Sequence, residues 1–373
     1  MTTIYLCIGT MKTGTTSIQS YLKRNQEQLN KQGYCYPDIP IKGKDVHNRN
    51  GHFLVFASTK EDLKEQKDEE VQVREAAYNI LEEKAKEYKN IILSEELIWH
   101  YAKKIPDFWK NLKDYCTTKG FLLKVVVYLR RQDELVESLW NQNVKSAKRW
   151  SAPFSDYISR GAYKYFPLYY YRELKSIEEY VGKEHMIVRP FERGQFKNGD
   201  LIDDFLECVG LEKTEEFREL LQQQNVRLEN TFLEIRRKIN DSAVYQEFED
   251  DFLRGPLLKA NAGYKGETVK TSMFDEDSQK EFMNQYKGTN TRVAREYLGR
   301  KDGRLFYKTT MKEGYREPDS QQLLEDYLAF SVEYMCKQQN QIKRLKEEKS
   351  NMNAGKESIP RRAYRKIKSM IKR

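Results

Sequence analysis

The chain has 373 residues, of which 39% are hydrophobic and 33% charged, so it can bury the core of one large or two ordinary domains. It contains no run of 18 apolar residues, and its apolar stretch at residues 4–8 is short, so neither a membrane-spanning helix nor a signal peptide is expected. Five scattered cysteines without a C-x-x-C pair, and four histidines without metal-ligand spacing, predict no disulfide framework and no metal site, and favour a reducing cytoplasm.

The net charge of +9 is concentrated at one end of the chain. Residues 359–373 contain seven Lys and Arg residues and no acid, so this tail alone supplies +7. The basic pI therefore describes a tail rather than a nucleic-acid-binding domain, and no nucleic-acid partner is expected.

The first half of the chain alternates apolar and amphipathic segments. Continuous apolar runs predict buried parallel strands at residues 4–8, 90–94, 123–129 and 186–191. Patterns of period 3.6 between them predict helices at residues 16–29 and 134–147. This alternation predicts βαβ units and an α/β fold with three layers around a central parallel sheet, in which ligands bind at the carboxyl ends of strands.

Beyond residue 200 the pattern becomes helical, which predicts helical C-terminal additions to that fold. Segments at 199–211, 230–240 and 290–299 have the helical period, and Gly299 closes the third as a C-cap. Residues 321–349 then contain no Gly or Pro and carry a heptad register with two polar interruptions, formed by Leu324, Leu328, Ser331, Met335, Gln338, Ile342 and Leu345. This register predicts a coiled coil and allows a homodimer.

We divide the chain into a main domain at residues 1–310, a connecting segment and long helix at 311–350, and a basic tail at 351–373. Pro360 suits the first turn of a helix in the tail. On that helix one apolar stripe would be formed by Ala363, Tyr364, Ile367, Met370 and Ile371. Because such a basic amphipathic helix binds the membrane interface, we expect a cytoplasmic protein with peripheral association at the inner face of the cell membrane. The alternative is a disordered basic end.

The residues after the first predicted strand, GTMKTGTT at 9–16, form a candidate anion-binding loop. Gly9 and Gly14 keep the spacing of the nucleotide P-loop, G-x-x-x-x-G-K-[ST], but Thr15 occupies the position of its lysine and Lys12 lies inside the loop. Backbone N–H groups at a helix start can bind an anion, and hydroxyl donors are added by Thr13, Thr15 and Thr16. The alternative is an ordinary strand-to-helix turn with a threonine N-cap.

A second candidate anion site follows the strand predicted at residues 123–129. Arg130 lies just beyond the carboxyl end of this strand, and Ser138 follows on the next predicted helix. An arginine fork and a serine hydroxyl can together bind a phosphate group. Taken alone, Arg130 would be a solvated charge at a strand end, but the separate anion loop favours the paired interpretation.

Two anion sites on one α/β sheet, with a lysine early in the first, resemble the nucleotide site of the sulfotransferases. KTGTT at 12–16 resembles their K-x-G-T-T phosphosulfate loop, and Arg130 with Ser138 resembles their R-x7-S motif for a 3′-phosphate. Segments such as NIILSEEL and NVRLENTFLEIRRKIN are similar to the bacterial branch that acts on carbohydrates. The resemblance extends over about residues 4–307.

This resemblance implies a P-loop-like fold and the donor 3′-phosphoadenosine 5′-phosphosulfate, with no metal required. It implies that Lys12 is catalytic and offsets charge on the departing 5′-phosphate. The implied donor-binding residues are Lys12, Thr13, Gly14, Thr15, Thr16, Arg130 and Ser138. The implied activity is transfer of a sulfuryl group to a hydroxyl of a carbohydrate acceptor, with a glycan, a capsule polysaccharide and a lipid-linked saccharide as the alternatives.

A sulfotransferase also needs a base that accepts the proton of the acceptor hydroxyl. The segment ILSEELIWH supplies Glu95, Glu96 and His100 after a predicted strand. The resemblance selects Glu96, two positions after Ser94, and the doubled acid leaves Glu95 as a rival. His100 and His52 are further candidates, and both acids could instead favour the dipole of the next helix.

Residues that bind the acceptor are less specific in the sequence. Aromatic and basic residues alternate at 149–174 and suit sugar rings, although a helical stripe there predicts that most of them belong to the core. The loop at 45–56 carries His47 and His52, and the related bacterial proteins often have histidine there. We therefore assign His52 to the acceptor site.

Two other function classes compete with a sulfotransferase. A P-loop kinase would use ATP and Mg²⁺, but the missing lysine of the GK[ST] motif and the second anion site argue against it. A non-catalytic scaffold at the membrane would depend on the coiled segment and the tail. The presence of Lys12, Arg130 and Ser138 disfavours such a scaffold.

Overall fold

The computed structural model describes residues 1–39, 48–55, 67–146, 148–220, 228–246, 252–264, 272–308 and 319–370. Only the backbone is described at residues 67–70, 244, 246, 350 and 352–370. His47, residues 311–318 of the predicted connecting segment and the last three residues of the tail lie outside the described residues.

An all-parallel sheet of five strands forms the centre of the fold, in the order β2-β3-β1-β4-β5. Its strands are β1 (Thr2–Cys7), β2 (Tyr34–Cys35), β3 (Asn90–Ser94), β4 (Phe121–Leu129) and β5 (Met186–Pro190). The predicted α/β class with a central parallel sheet is confirmed. The sequence analysis did not predict β2, whose two residues are too few to form a recognisable apolar run.

The helices that the structure describes alternate with these strands and then dominate the second half of the chain. They are α1 (Thr15–Arg24), α2 (Gln26–Lys31), α3 (Lys67–Glu87), α4 (Ile98–Tyr101), α5 (Phe108–Thr118), α6 (Gln132–Lys145), α7 (Phe154–Ser159), α8 (Tyr170–Val181), α9 (Leu201–Val209), α10 (Asn230–Asn240), α11 (Ala243–Gln246), α12 (Arg254–Ala262), α13 (Glu276–Asn284), α14 (Lys287–Leu298) and α15 (Ser320–Met370). Gly299 ends α14 with φ 65°, which confirms the predicted C-cap.

Both faces of the central sheet are buried. Tyr5 of β1 and Tyr128 of β4 join one core cluster with residues of α1 and α9. Because side chains alternate along a strand, Leu6 and Val127 point to the opposite face, where both are fully buried. On β4, α5 and α8 also pack against the sheet. Helices therefore cover the sheet and produce the three predicted layers.

One predicted helix is two helices in the structure. The apolar stripe at residues 16–29 predicted a single helix, but α1 and α2 are separated at Asn25. The buried Asn25 amide donates to the carbonyl oxygens of Tyr21 at 2.9 Å and Arg218 at 3.1 Å, and its Oδ1 accepts from the Arg218 N–H at 2.7 Å. Bonds to a segment almost two hundred residues away thus decide the break.

The chain divides into two compact units, each assembled from separate segments. The first contains the whole sheet and comprises Met1–Trp140, Pro153–Asn225 and Lys270–Tyr315. The second comprises Asn141–Ala152, Val226–Val269 and Arg316–Arg373, and in it α10 and α12 pack against α15. This packing groups residues 226–269 with the C-terminal helix, and one division between the two units lies between Tyr315 and Arg316. The domain boundary at residue 310 stays a prediction.

The C-terminal helix α15 is continuous over 51 residues, from Ser320 to Met370. It includes the predicted coiled segment and continues through the basic tail. Pro360 therefore lies inside a helix, and the prediction that it begins a separate one was wrong. Within the described residues, no helix has both the length and the apolar character needed to cross a membrane.

Candidate functional site

Four loops meet at the carboxyl edge of the sheet, because all of its strands are parallel. Residues 8–14 follow β1, Glu95 and Glu96 follow β3, Arg130 follows β4 and Phe191 follows β5. The chain passes from β1 towards β2 on one side and from β4 towards β5 on the other. The loops after β1 and β4 therefore border the topological switch point, where ligands bind in open α/β sheets.

The loop after β1 has an unusual backbone at two positions. Lys12 has φ 67° and Gly14 has φ 72°, both in the left-handed region that non-glycine residues rarely adopt. A Cβ atom at Gly14 would collide with Leu201 Cδ2, so another residue would have to displace that side chain and also adopt the left-handed backbone. For Lys12 this conformation costs on the order of 1–3 kcal/mol, which the surrounding contacts must offset.

Hydrogen bonds from buried threonines hold this loop against β4. Thr13 Oγ1 donates to the Thr10 carbonyl at 2.6 Å, and the Thr10 N–H donates to the Tyr128 carbonyl at 2.8 Å. Ser17 N–H bonds to the Gly14 carbonyl at 2.9 Å. Within the described residues no acceptor bonds to the N–H groups of Thr15 or Thr16 at the start of α1, so both remain available to an anion.

Arg130 connects the end of β4 to the same loop. Its Nη1 donates to the Lys12 carbonyl at 2.8 Å, and its guanidinium carbon lies 5.8 Å from the ring centroid of Phe191. Its Nε lies 3.7 Å from Glu134 Oε2 and has no hydrogen-bond partner among the described residues, although it is buried. Arg130 thus stabilises the loop, and its Nε–H could donate a hydrogen bond to an oxygen of a ligand.

Ser138 is not connected to Arg130 in the structure. It lies within α6 and is partly exposed. Among the described residues, no hydrogen bond joins the Ser138 hydroxyl to Arg130 or to the loop after β1. The predicted pairing of these two residues on one phosphate therefore stays a prediction.

Glu96 lies against the loop from the β3 side. Thr15 Oγ1 donates to Glu96 Oε2 at 2.7 Å. Burial raises the pKa of the Glu96 carboxyl, the Thr15 hydrogen bond lowers it, and the charge of Glu95 raises it. Burial lowers the pKa of Lys12, while the charge of Glu96 acts in the opposite direction. Lys12, Thr15 and Glu96 thus form one site, in which a carboxylate of raised pKa can accept a proton.

Glu95 has different partners, although it is adjacent in sequence. Its side chain is fully buried, with Oε2 3.0 Å from His52 Nδ1 and Oε1 3.4 Å from Arg49 Nη1. The Leu97 N–H also donates to Oε1 at 2.9 Å. Because these groups contact both carboxylate oxygens, Glu95 is held in place, whereas the Glu96 carboxylate accepts a hydrogen bond from the Thr15 hydroxyl.

The structure places both candidate histidines in packed surroundings. His52 is 4% exposed and contacts Glu95, which argues against the predicted contact between His52 and an acceptor. The ring of His100 stacks on Phe166 at 5.6 Å, and its Nε2 lies 3.4 Å from Lys104 Nζ. His52 therefore belongs to the support of β3, and His100 to an aromatic cluster.

A cavity of about 810 Å³ opens beside the loop after β1. Phe191 and Leu201 line it, and both lie next to Gly14. On its rim, Lys308 Nζ donates to Glu134 Oε1 at 2.7 Å and Arg131 Nη1 donates to the Lys308 carbonyl at 3.0 Å. Its volume is in the range of pockets that bind nucleotide-sized ligands.

Other residues of the site were not identified from the sequence. The Thr10 side chain donates to the Tyr128 carbonyl, and the Arg49 side chain donates to Glu95. Both bonds join segments that are distant in sequence, so no local sequence pattern identifies these residues. Phe191 had a usable signal, because it ends an apolar run that was predicted as a strand. Among the described residues, no group of three or more His, Cys, Asp or Glu side chains could hold a metal ion.

Comparisons with known proteins give limited information about this chain. No protein-family model matches it. An uncharacterized protein from Archaeoglobus fulgidus is 30% identical over 196 residues, which are 52% of this chain and 51% of that protein, so the chain spans about half the length of the relative it matches. The crystal structure of a sulfotransferase from Alicyclobacillus acidocaldarius aligns with a TM-score of 0.41 and 13% identity, covering 79% of this chain and 95% of that one.

Proposed function

We propose that this chain is a sulfotransferase that transfers a sulfuryl group from 3′-phosphoadenosine 5′-phosphosulfate to a hydroxyl of a carbohydrate. The observation that carries the proposal is the convergence of three loops on Lys12. Arg130 bonds to the Lys12 carbonyl at 2.8 Å, and Glu96 bonds to Thr15 of the same loop at 2.7 Å. A basic donor site and a candidate proton acceptor therefore contact the same loop at the carboxyl edge of the sheet.

The residues present suit the proposed donor. The N–H groups of Thr15 and Thr16 and the Nε of Arg130 are donors without a hydrogen-bond partner among the described residues. Such donors at a helix start favour a phosphate or sulfate group. The neighbouring cavity, with Phe191 on its wall, has room for a nucleoside.

In the proposed reaction the donor supplies an activated sulfuryl group. Lys12 would stabilise negative charge on the departing phosphate, which increases in the transition state. Glu96 would accept the proton of the acceptor hydroxyl, and its raised pKa brings its basicity closer to that task. Thr15 would keep the Glu96 carboxylate turned towards the loop.

A carbohydrate acceptor is supported by exposed aromatic side chains in the segment at 149–174. Tyr165 and Tyr169 are 43% and 47% exposed, whereas Phe154, Tyr157 and Phe166 are buried. The exposed rings offer apolar faces with polar edges, which suit sugar rings. The similarity of several segments to the carbohydrate-acting branch supports the same class.

The spacing of Gly9 and Gly14 would also suit a kinase. Calorimetry with different nucleotides distinguishes a sulfotransferase from a kinase. Adenosine 3′,5′-bisphosphate should bind without Mg²⁺ and more tightly than ADP or ATP. Arg130→Ala should weaken bisphosphate binding by about 2–4 kcal/mol, because a charged partner is left unpaired. Binding of adenosine 5′-phosphate, which lacks the 3′-phosphate, should change much less.

Arg172→Ala serves as the matched control, because Arg172 is 72% exposed on α8 and should leave both affinities unchanged. Equal weakening of both ligands by Arg130→Ala would make Arg130 a support of the loop only. Preference for ATP with Mg²⁺ would replace the sulfotransferase by a kinase.

The basic tail supports a second proposal, peripheral binding to an anionic membrane surface. Residues 359–373 of the tail carry seven cations and no acid, and the backbone is helical through Met370. Each cation near an anionic surface contributes about 1 kcal/mol. The full chain should sediment with anionic vesicles at low salt but not with neutral vesicles. A chain ending at Ser350 should no longer sediment with anionic vesicles, but it should keep bisphosphate binding. Equal sedimentation of both chains would contradict the proposal.

A further inference from the structure

One face of the helix α15 packs against other residues of its own unit. Asp326 and Phe330 are 6% and 5% exposed, and the Tyr334 ring lies 5.9 Å from that of Phe252. Lys337 Nζ donates to the Phe252 carbonyl at 2.9 Å. These positions follow one another at spacings of three or four residues, so they form a single stripe that packs within the unit.

Another face of α15, about 100° around the helix, carries a second apolar stripe, and this one is exposed. It combines 4-residue and 3-residue steps through seven positions, which are Leu324, Leu328, Ser331, Met335, Gln338, Ile342 and Leu345. The five apolar members are between 42% and 64% exposed, and the flanking Tyr327 and Val332 are also exposed. A period of 3.5 residues is the signature of a coiled-coil seam.

We propose that this seam binds the same helix of a second copy of the chain, in a parallel, in-register, two-stranded coiled coil. The distribution of Ser331 and Gln338 selects this partner. In a parallel pair each seam residue faces its own equivalent, so Gln338 faces Gln338 and Ser331 faces Ser331, and their polar groups can bond to each other. Leu and Ile positions likewise face Leu and Ile.

An antiparallel pair does not provide this match. With Met335 beside Gln338 of the other helix, Ser331 would face Ile342 and Leu324 would face Lys349. Shifting the register by one heptad in either direction again places Gln338 or Ser331 opposite an apolar side chain. Buried polar groups without partners are unfavourable, so the parallel register is the one that satisfies every layer.

The residues that flank the seam are compatible with the parallel arrangement. The residue before each a position faces the residue five places later on the partner helix. These pairs are Tyr327 with Val332, Tyr334 with Gln339, and Gln341 with Lys346. None of them joins like charges, and the first extends the apolar contact.

The far part of α15 also requires a partner. Residues 341–349 are exposed on every side of the helix. A helix without tertiary contacts is only marginally stable in water, whereas a second helix along the seam would bury Ile342 and Leu345. A parallel pair would also place both basic tails at the same end of the dimer.

The mass of the full chain in solution tests this proposal. Light scattering should give twice the 44.5 kDa of one chain. Met335→Glu combined with Ile342→Glu places like charges opposite each other in the seam, and the mass should fall twofold. The matched control, Cys336→Glu with Asn340→Glu, adds the same charge at exposed positions outside the seam and should remain dimeric. Circular dichroism verifies that both variants are folded.

Cysteine cross-linking tests the orientation. In a Cys336→Ser background, Leu345→Cys should form a disulfide-linked dimer on oxidation, because parallel helices bring the two sulfur atoms together. Asn340→Cys, away from the seam, should not. A monomeric full chain, or equal masses for the seam and control variants, would overturn the proposal. A dimer that fails to cross-link at Leu345→Cys would overturn the parallel arrangement.

Discussion

Two carboxylates that are adjacent in sequence lie in very different surroundings at the end of β3. The Glu95 cluster, formed by Arg49, His52 and Glu95, is buried and bonded on both carboxylate oxygens. The Glu96 site, formed by Lys12, Thr15 and Glu96, shares one hydrogen bond and is partly exposed. The surroundings of each carboxylate are therefore set by the groups that other segments place beside it, and not by its position at the end of a strand.

The difference has a simple geometric origin. The chain turns directly after β3, where the Ile98 N–H donates to the Glu95 carbonyl at 3.4 Å, and the side chains of Glu95 and Glu96 meet different neighbours. Glu95 meets the segment at 48–55, and Glu96 meets the loop after β1. We therefore expect Glu95 to support the fold and Glu96 to support the reaction.

The largest expected effect is that of Glu96→Gln on turnover. Removing the basic group should lower turnover by about 10²–10⁴ if Glu96 accepts the acceptor proton. Stability should be unchanged or higher, because a raised pKa in the folded state means that the ionised carboxylate is unfavourable at neutral pH. Turnover measures the first effect, and thermal unfolding of the same preparation measures the second. Normal turnover would remove Glu96 from the mechanism.

Glu95→Gln should have the opposite profile. It removes the charge that Arg49 and His52 contact, which should cost about 1.5–3 kcal/mol in the free energy of unfolding. The folded fraction should retain most of its turnover. Denaturant unfolding at neutral pH measures the loss. If stability is intact and turnover is lost, Glu95 is the base and the division between the two carboxylates is reversed.

Thr15→Val should have the smallest effect, a shift in the pH profile. The Thr15 hydrogen bond lowers the pKa of Glu96, so its loss should raise that pKa. A base acts in its deprotonated form, and the acidic limb of turnover should therefore move to higher pH. Thr15→Ser keeps the hydroxyl and is the matched control. A limb that moves equally in both variants, or in neither, would show that this bond does not tune Glu96.

Much of the fold was predictable because its signals are local. The strands at β1, β3, β4 and β5 are continuous apolar runs, and α10 occupies the same residues, 230–240, that its period predicted. The loop after β1 was found because a glycine, hydroxyl groups and a helix start occur together within a few residues. Arg130 was found for the same reason, as a charge directly after an apolar strand.

The sequence by itself therefore determined the parallel sheet, the helix periods and the position of the candidate site, since these depend on neighbouring residues. Only the tertiary structure decided which groups meet there. The break at Asn25 and the burial of His52 depend on partners far away in the chain. So do the Arg130 bond to the Lys12 carbonyl and the choice between Glu95 and Glu96. No local pattern contains such pairings, because they arise only when distant strand ends are brought to one edge of the sheet.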